Sequence, residues 1–249
     1  MNRLLRMGVA LAVLVAAGGA ASAPATELFI PVVAQAGGSD GSYWNTELWI
    51  ANLSGGRATY ALTFLPSGTD NTPYLMMPPE ERELEAGETV HLNGVVPPGN
   101  VGALRVVTSS DGVVVRCRLY NARGRATSGQ LIPALRVDEM VPPGTPAVLV
   151  PILRKGRYRT NLGFFNPGLR PVTVKLEVQD EKGETVTTVA YTVEPGSHMQ
   201  VNDILLTLKI RRAEAWRVVF TSDGTVAGYA SFVDSRSGSA TFVTPAILR

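Results

Sequence analysis

The chain has 249 residues, with 23 basic and 21 acidic side chains, two histidines and one cysteine. Two of the basic residues, Arg3 and Arg6, fall in an apolar leader, so the remainder is balanced in charge, which removes the electrostatic case for nucleic acid or an anionic membrane surface. A single cysteine excludes an internal disulfide, so stability must come from buried area, in a chain long enough for two domains of about 110 residues.

Arg3 and Arg6 form a positive n-region, Met7 to Ala17 an apolar h-region, and small residues follow. The apolar run is too short to span a bilayer and reads as a secretory signal peptide over residues 1–25, cut after Ala25 or Ala21. The expected location is periplasmic, cell-surface or secreted, with no membrane span after cleavage.

Leu28 to Val33 is β-rich and carries Pro31, which predicts an edge strand because proline cannot donate a ladder hydrogen bond. Gly37 to Gly41 reads as a turn. Trp44 to Asn52 alternates cleanly: Thr46, Leu48 and Ile50 share an apolar face, and Asn45, Glu47 and Trp49 share the other. Ala58 to Leu65 is the next strand. Tyr74 to Met77 reads as a short strand before the polar loop Pro78 to Glu83. Val101 to Thr108 and Val113 to Tyr120 flank Asp111-Gly112, which predicts a hairpin. Cys117 lies in this alternating run and reads as a buried thiol.

The order then repeats. Tyr158 to Asn166 has the same aromatic-x-Thr-x-Leu-x-apolar-x-Asn pattern as Trp44 to Asn52, 114 positions on. Leu149 to Ile152 matches Phe29 to Val32, and Val193 to Ser197 matches Leu84 to Glu88. The latter pair is offset by 109, so the first repeat carries about five additional residues in its middle loop. Thr221 to Gly224 matches the Asp-Gly turn of the first repeat, and Asp203 to Leu208 reads as a short helical turn. Short strands without long amphipathic helices predict an all-β chain of two tandem antiparallel β-sandwich modules, immunoglobulin-like in the broad sense. They occupy residues 26–136 and 148–249, joined by a proline-rich linker at 137–147.

The blocks Ile30-Pro-Val32, Trp44-x-Thr-x-Leu-x-x-x-Asn52, Leu84-x-x-Gly-Glu88, Gly228-Tyr-Ala-Ser-Phe-Val-Asp234 and the closing Pro245-Ala246 resemble repeats of exported bacterial proteins of uncharacterised function. The resemblance covers most of the chain beyond the leader. It implies a secreted or surface β-sandwich and brings no activity with it. The last turn, Asp234 to Ser239, has one acidic residue, which weakens a calcium reading there.

The outward aromatic Trp49 is the leading candidate for stacking on a sugar or anchoring a protein partner. Arg116, Arg118 and Tyr120 share one strand face and form a binding face with it, or else pair with Glu47. At the offset of the Asp-Gly turns, their counterparts read as Gly228, Ala230 and Phe232; at the offset of the repeated strand pattern, that of Trp49 reads as Gly163. Asp111 and Asp223 read as equivalent turn residues rather than a catalytic pair. Thr46 and Asn52, repeated as Thr160 and Asn166, read as structural. His91 aligns with Gln200 and His198 with Thr89, so duplication has retained neither histidine. No catalytic, cofactor or metal residues are assigned, and no phosphate loop or nucleophile elbow occurs. The expected function is a non-enzymatic exported protein for interaction, adhesion or spacing, with a protein or glycan partner at the cell envelope. The alternatives are a carbohydrate-binding module pair and a periplasmic chaperone-like two-domain protein.

Overall fold

A computed structural model describes residues 25–38, 41–78, 80–123 and 126–248. The expected signal peptide lies outside them, apart from Ala25, as do Ser39 and Asp40 of the first expected turn. The described chain is all-β, with three antiparallel sheets whose arrangement is consistent with β-sandwich domains.

The first repeat supplies β1 (Thr26–Gly37), β2 (Tyr43–Asn52), β3 (Ala58–Pro66), the short helix α1 (Thr72–Met76), β4 (Arg82–Leu84), β5 (Thr89–Asn93), β6 (Asn100–Thr108), β7 (Val113–Arg123) and β8 (Ala126–Ile132). They form one sheet ordered β4-β3-β6-β1-β2-β7-β8, with β5 also on β2. β1 passes from one layer to the other: Thr26 to Gln35 pair with β6, whereas Ala36 and Gly37 pair with β2. Ile30, Leu48, Ile50, Leu104, Val106, Val115 and Cys117 fill the space between. Each fully buried aliphatic side chain of this kind is worth about 1.5–3 kcal/mol.

The second repeat supplies β9 (Ala147–Arg154), β10 (Tyr158–Phe165), β11 (Val172–Gln179), β12 (Thr185–Val193), β13 (His198–Val201), α2 (Ile204–Thr207), β14 (Ala213–Ser222), β15 (Ala227–Asp234), β16 (Ala240–Val243) and β17 (Ala246–Ile247). Its sheets run β12-β11-β14-β9-β17 and β13-β10-β15-β16. β11 shows the cause most plainly: Val172, Val174, Leu176 and Val178 are buried, while Lys175 and Glu177 between them face solvent. α2 is the expected helical turn, started by Asp203, whose carboxylate accepts from the Leu206 N–H.

The repeated polar residues are the framework. Thr46 Oγ1 accepts from the Ala34 N–H at 2.9 Å and donates to its carbonyl at 3.0 Å; Thr160 does the same to Leu153 at 3.0 and 2.8 Å. Asn52 Nδ2 donates to the carbonyls of Gly56, Leu84 and Glu85, and Asn166 Nδ2 to those of Arg170, Val193 and Glu194. Each buried amide therefore ties its strand end to two loops at once.

Four expectations are corrected. β1 is a central strand, and Pro31 is accommodated at the register shift between Ile30 and Val33, where a bulge asks for no ladder bond. The Asp111-Gly112 turn is not a hairpin: β6 pairs with β1 and β3, β7 with β2 and β8, so the turn carries the chain between layers. Tyr74 to Met76 are helical, with Pro73 in the first turn. The two Asp-Gly turns are also not equivalent. Ser109 Oγ and Asp223 Oδ1 hold the same post, accepting from the N–H of Thr59 and Thr173 at 2.7 Å each. Asp223 therefore stands where the first repeat has Ser109, and Asp111 instead bonds the Thr26 hydroxyl.

The two repeats dock closely. Phe29, Leu65, Ala103 and Met140 meet Phe165 and Ala227 in one apolar cluster, with the Phe29 and Phe165 rings 5.2 Å apart. The additional residues of the first repeat's middle loop have a place in this. The loop after β3 donates from the Gly68 N–H to the His198 carbonyl at 3.1 Å and from the Asn71 N–H to the Pro195 carbonyl at 2.8 Å. Asn71 Nδ2 adds a bond to the Gly196 carbonyl at 3.0 Å. Gly196 has φ +57°, and a Cβ there would lie 2.8 Å from Leu75 Cδ1, so both backbone and space require glycine. In the linker, Val141 bridges Val226 and is buried.

Candidate functional site

The pattern of β2 sends Glu47 and Trp49 to the outer face of its sheet, because Thr46, Leu48 and Ile50 are held in the core. β5 and β7 flank β2, and their registers decide what stands beside them. Trp49 pairs with His91 on one side and Arg116 on the other; Glu47 pairs with Arg118, and Asn45 with Tyr120. The four residues singled out from the sequence, Trp49, Arg116, Arg118 and Tyr120, thus share one face.

Their contacts are specific. The Trp49 and His91 rings stack with centroids 4.6 Å apart and planes 4° from parallel. Glu47 is only 8% exposed and accepts from Arg118 Nη1 at 2.7 Å, with His91 Nε2 3.3 Å from its other oxygen. The Arg118 guanidinium also lies 4.8 Å from the centre of the Tyr120 ring and donates to Thr127 Oγ1. Arg116 is exposed, and Nη1 bonds its neighbour's carbonyl, Val115, at 3.0 Å. Leu131, 67% exposed, stands beside Arg118 on β8. The face is therefore an aromatic pair and a neutralised carboxylate flanked by an exposed cation.

The corresponding face of the second repeat is built on the same lattice with different side chains. Gly163 replaces Trp49 and pairs with Tyr229, so Tyr229 is the counterpart of Arg116. By the same pairing, Ser231 answers Arg118 and Val233 answers Tyr120. The assignment of Gly228, Ala230 and Phe232 is one residue out, because it matches Asp111 to Asp223, whereas Asp223 stands where the first repeat has Ser109. Gln200 answers His91, as the alignment expects. This face is closed. Tyr229 is 1% exposed and belongs to the same apolar cluster as Val32 and Ala34 of β1. Its hydroxyl donates to Gln200 Oε1 and contacts His198 Nε2, each at 2.7 Å. His198 Nδ1 lies 3.0 Å from Ser67 Oγ of the docking loop, and burial pushes the imidazole pKa down from 6.5 to about 3.

The Ser67–His198–Tyr229 chain has the look of an activated hydroxyl, but it serves the contact between repeats. An imidazole held neutral by burial is a weak base for proton abstraction. Cys117 is buried, and loss of solvent, with Glu47 nearby, pushes its thiol well above the ordinary value, which leaves it inert at neutral pH. Among the described residues, no three His, Cys, Asp or Glu side chains gather as a metal site, and no helix is long and apolar enough to cross a membrane. His91 and Glu47 were not nominated from the sequence as parts of the site. Glu47 was legible from its alternation with Trp49; the approach of His91 depends on a strand pairing 44 residues apart.

No protein-family model matches the chain, and comparison with curated proteins returns no match.

Proposed function

We propose that the protein is a non-enzymatic exported binding protein of two tandem immunoglobulin-like β-sandwich modules, and that the outer face of β5-β2-β7-β8 engages a protein partner at the cell envelope. The observation that carries this reading is the contrast between equivalent faces. The second module's face is consumed by docking, whereas the first module's face stays open and bears Trp49, Tyr120 and Arg116. Trp, Tyr and Arg are the residue types that dominate protein–protein binding energy. A carbohydrate platform stacks on aromatic faces, and here His91 already covers one face of Trp49 and Arg118 lies over Tyr120. That favours a protein over a glycan.

The purified, tagged protein is exposed to the native envelope and secreted fractions beside Trp49→Ala and Arg116→Ala. The reading expects one partner whose affinity falls roughly tenfold or more in each variant. Capture unchanged by both substitutions, or no partner at all, contradicts it.

A further inference from the structure

The charges of the chain balance as a whole, but the fold does not spread them evenly. At one end of the second repeat, the β9–β10 hairpin carries Arg154, Lys155 and Arg157, and the segment between α2 and β14 carries Lys209, Arg211 and Arg212. Arg154 joins the two: Nε lies 3.0 Å from Asp203 Oδ2 at the start of α2, and Nη1 donates to the Arg211 carbonyl at 2.7 Å. On the other side of the hairpin, Arg157 pairs with Asp234 at 3.1 Å, and its carbonyl accepts from the Ser235 N–H at 3.0 Å, which brings in the β15–β16 turn.

Six cations thus meet three carboxylates, those of Asp203, Glu214 and Asp234, and the balance is +3. Lys155 and Arg212 share Glu214, each at 2.7 Å, while Lys209 and Arg211 are exposed and stand outside these pairs. Arg159 and Arg236 lie alongside, each engaged with partners of its own.

The framework does not require these cations. The connections at the same places in the first repeat run from Gly38 to Ser42, between β1 and β2, and from Gly94 to Gly99, between β5 and β6, and neither has a lysine or arginine. Two apolar side chains stand out among the cations of the second repeat. Leu206, next to the buried Ile204 and Leu205 of α2, is 50% exposed, and its carbonyl accepts from the Lys209 N–H at 2.9 Å. Tyr158, 38% exposed, has the Arg157 guanidinium 5.2 Å from the centre of its ring. Cations around a protruding Leu and Tyr suit a layered partner, charged at its surface and apolar beneath. A nucleic-acid duplex or an acidic polysaccharide presents its charge with no apolar layer below for Leu206 to enter.

We propose that this end of the second repeat docks on an anionic bilayer surface, with Lys155, Lys209, Arg211 and Arg212 against phosphate headgroups and Leu206 and Tyr158 at the boundary with the acyl chains. The surface lies on the other repeat from Trp49 and works whether or not that face holds a partner. Each net positive charge near an anionic leaflet is worth roughly fivefold in affinity, so +3 gives about a hundredfold preference for anionic over neutral lipid. Such attachment is reversible and weakens as salt screens it.

The purified protein is sedimented with vesicles of phosphatidylcholine alone and of equal parts phosphatidylcholine and phosphatidylglycerol. Beside it run Leu206→Ser and the double variant Lys209→Glu with Arg211→Glu, which takes the surface from +3 to −1. Binding of duplex DNA and of polygalacturonate is measured in parallel, and thermal unfolding of the free variants reports on the fold separately. The expected result is sedimentation with the phosphatidylglycerol vesicles only, lost at about 1 M salt, where the Debye length is about 3 Å. The double variant should lose it as well, and Leu206→Ser should weaken it several-fold. The proposal is overturned by equal sedimentation with both vesicles, by indifference to salt, by indifference to either variant in folded protein, or by DNA or polygalacturonate binding as tightly as the anionic vesicles.

Discussion

The outer faces of β2 and β10 start from one template and end in opposite roles. In the first repeat, a large residue on the central strand, Trp49, faces Arg116; in the second, Gly163 faces Tyr229. Removing the side chain from the central strand lets the tyrosine ring lie across it, and an apolar ring in place of a guanidinium lets the neighbouring repeat close over it. The core framework tolerates neither change so freely: Thr46 and Asn52 are matched by Thr160 and Asn166, with the same bonds. The two repeats share the bonds of their framework and differ in the outer face of the central strand.

The largest way to break the comparison is to restore a side chain at Gly163. A Cβ there would lie 2.2 Å from Tyr229 Cζ and 2.3 Å from its hydroxyl oxygen, so Gly163→Ala must displace that side chain from the contact between repeats. A loss of about 3 kcal/mol is expected by chemical denaturation, with small-angle scattering showing looser repeats. A melting curve like that of the natural protein would mean the closed face is not tightly packed.

Acid is the next largest perturbation. Burial depresses the His198 pKa to about 3 in the folded state, against 6.5 when exposed. The neutral imidazole therefore contributes stability in full above pH 6.5, and that contribution drains away as pH falls from 6.5 towards 3. By pH 4.5 the loss is about 2–3 kcal/mol. Denaturation midpoints measured across this range should show that slope, and His198→Gln should flatten it. Equal slopes in the two proteins would assign the acid sensitivity elsewhere.

A smaller effect is expected from the docking loop. Asn71 is fully buried, and Nδ2 serves the carbonyls of Pro66 at 2.8 Å and Gly196 at 3.0 Å. Asn71→Ala removes both bonds, leaving the Pro66 carbonyl only the longer bond from the Ser197 hydroxyl at 3.4 Å, at about 2 kcal/mol. On the open face, Trp49→Ala loses only its stack on His91 and partial burial, so stability should change by about 1 kcal/mol or less while partner binding suffers far more. Stability loss at Trp49 equal to that at Gly163 would erase the distinction between the faces.

What was legible in the sequence was local. Alternation placed Leu48 and Ile50 in the core and Trp49 outside it, and the repeated Asn marked the strand ends because turn backbone needs a polar side chain. What was not legible was which strand lies beside which. Asp111-Gly112 announced a turn but not that it changes layers. Pro31 argued for an edge, and a bulge made a centre possible. Matching Asp111 to Asp223 slipped the assignment by one residue, and in a strand one residue exchanges the faces. That slip hid Tyr229 as the partner of Gly163. The middle loop of the first repeat was visible as additional length, but its contact with Pro195, Gly196 and His198 joins residues more than 120 positions apart, beyond any local signal.

The most direct test is hydroxyl-radical footprinting of the purified protein, alone and with its native envelope fraction. Trp49 and Tyr120 should be oxidised in the free protein and Tyr229 protected, with Trp49 and Tyr120 becoming protected when the fraction is added. Oxidation of Tyr229 in the folded free protein, or unchanged oxidation of Trp49 and Tyr120 in the presence of the fraction, would contradict the account of one closed and one open face.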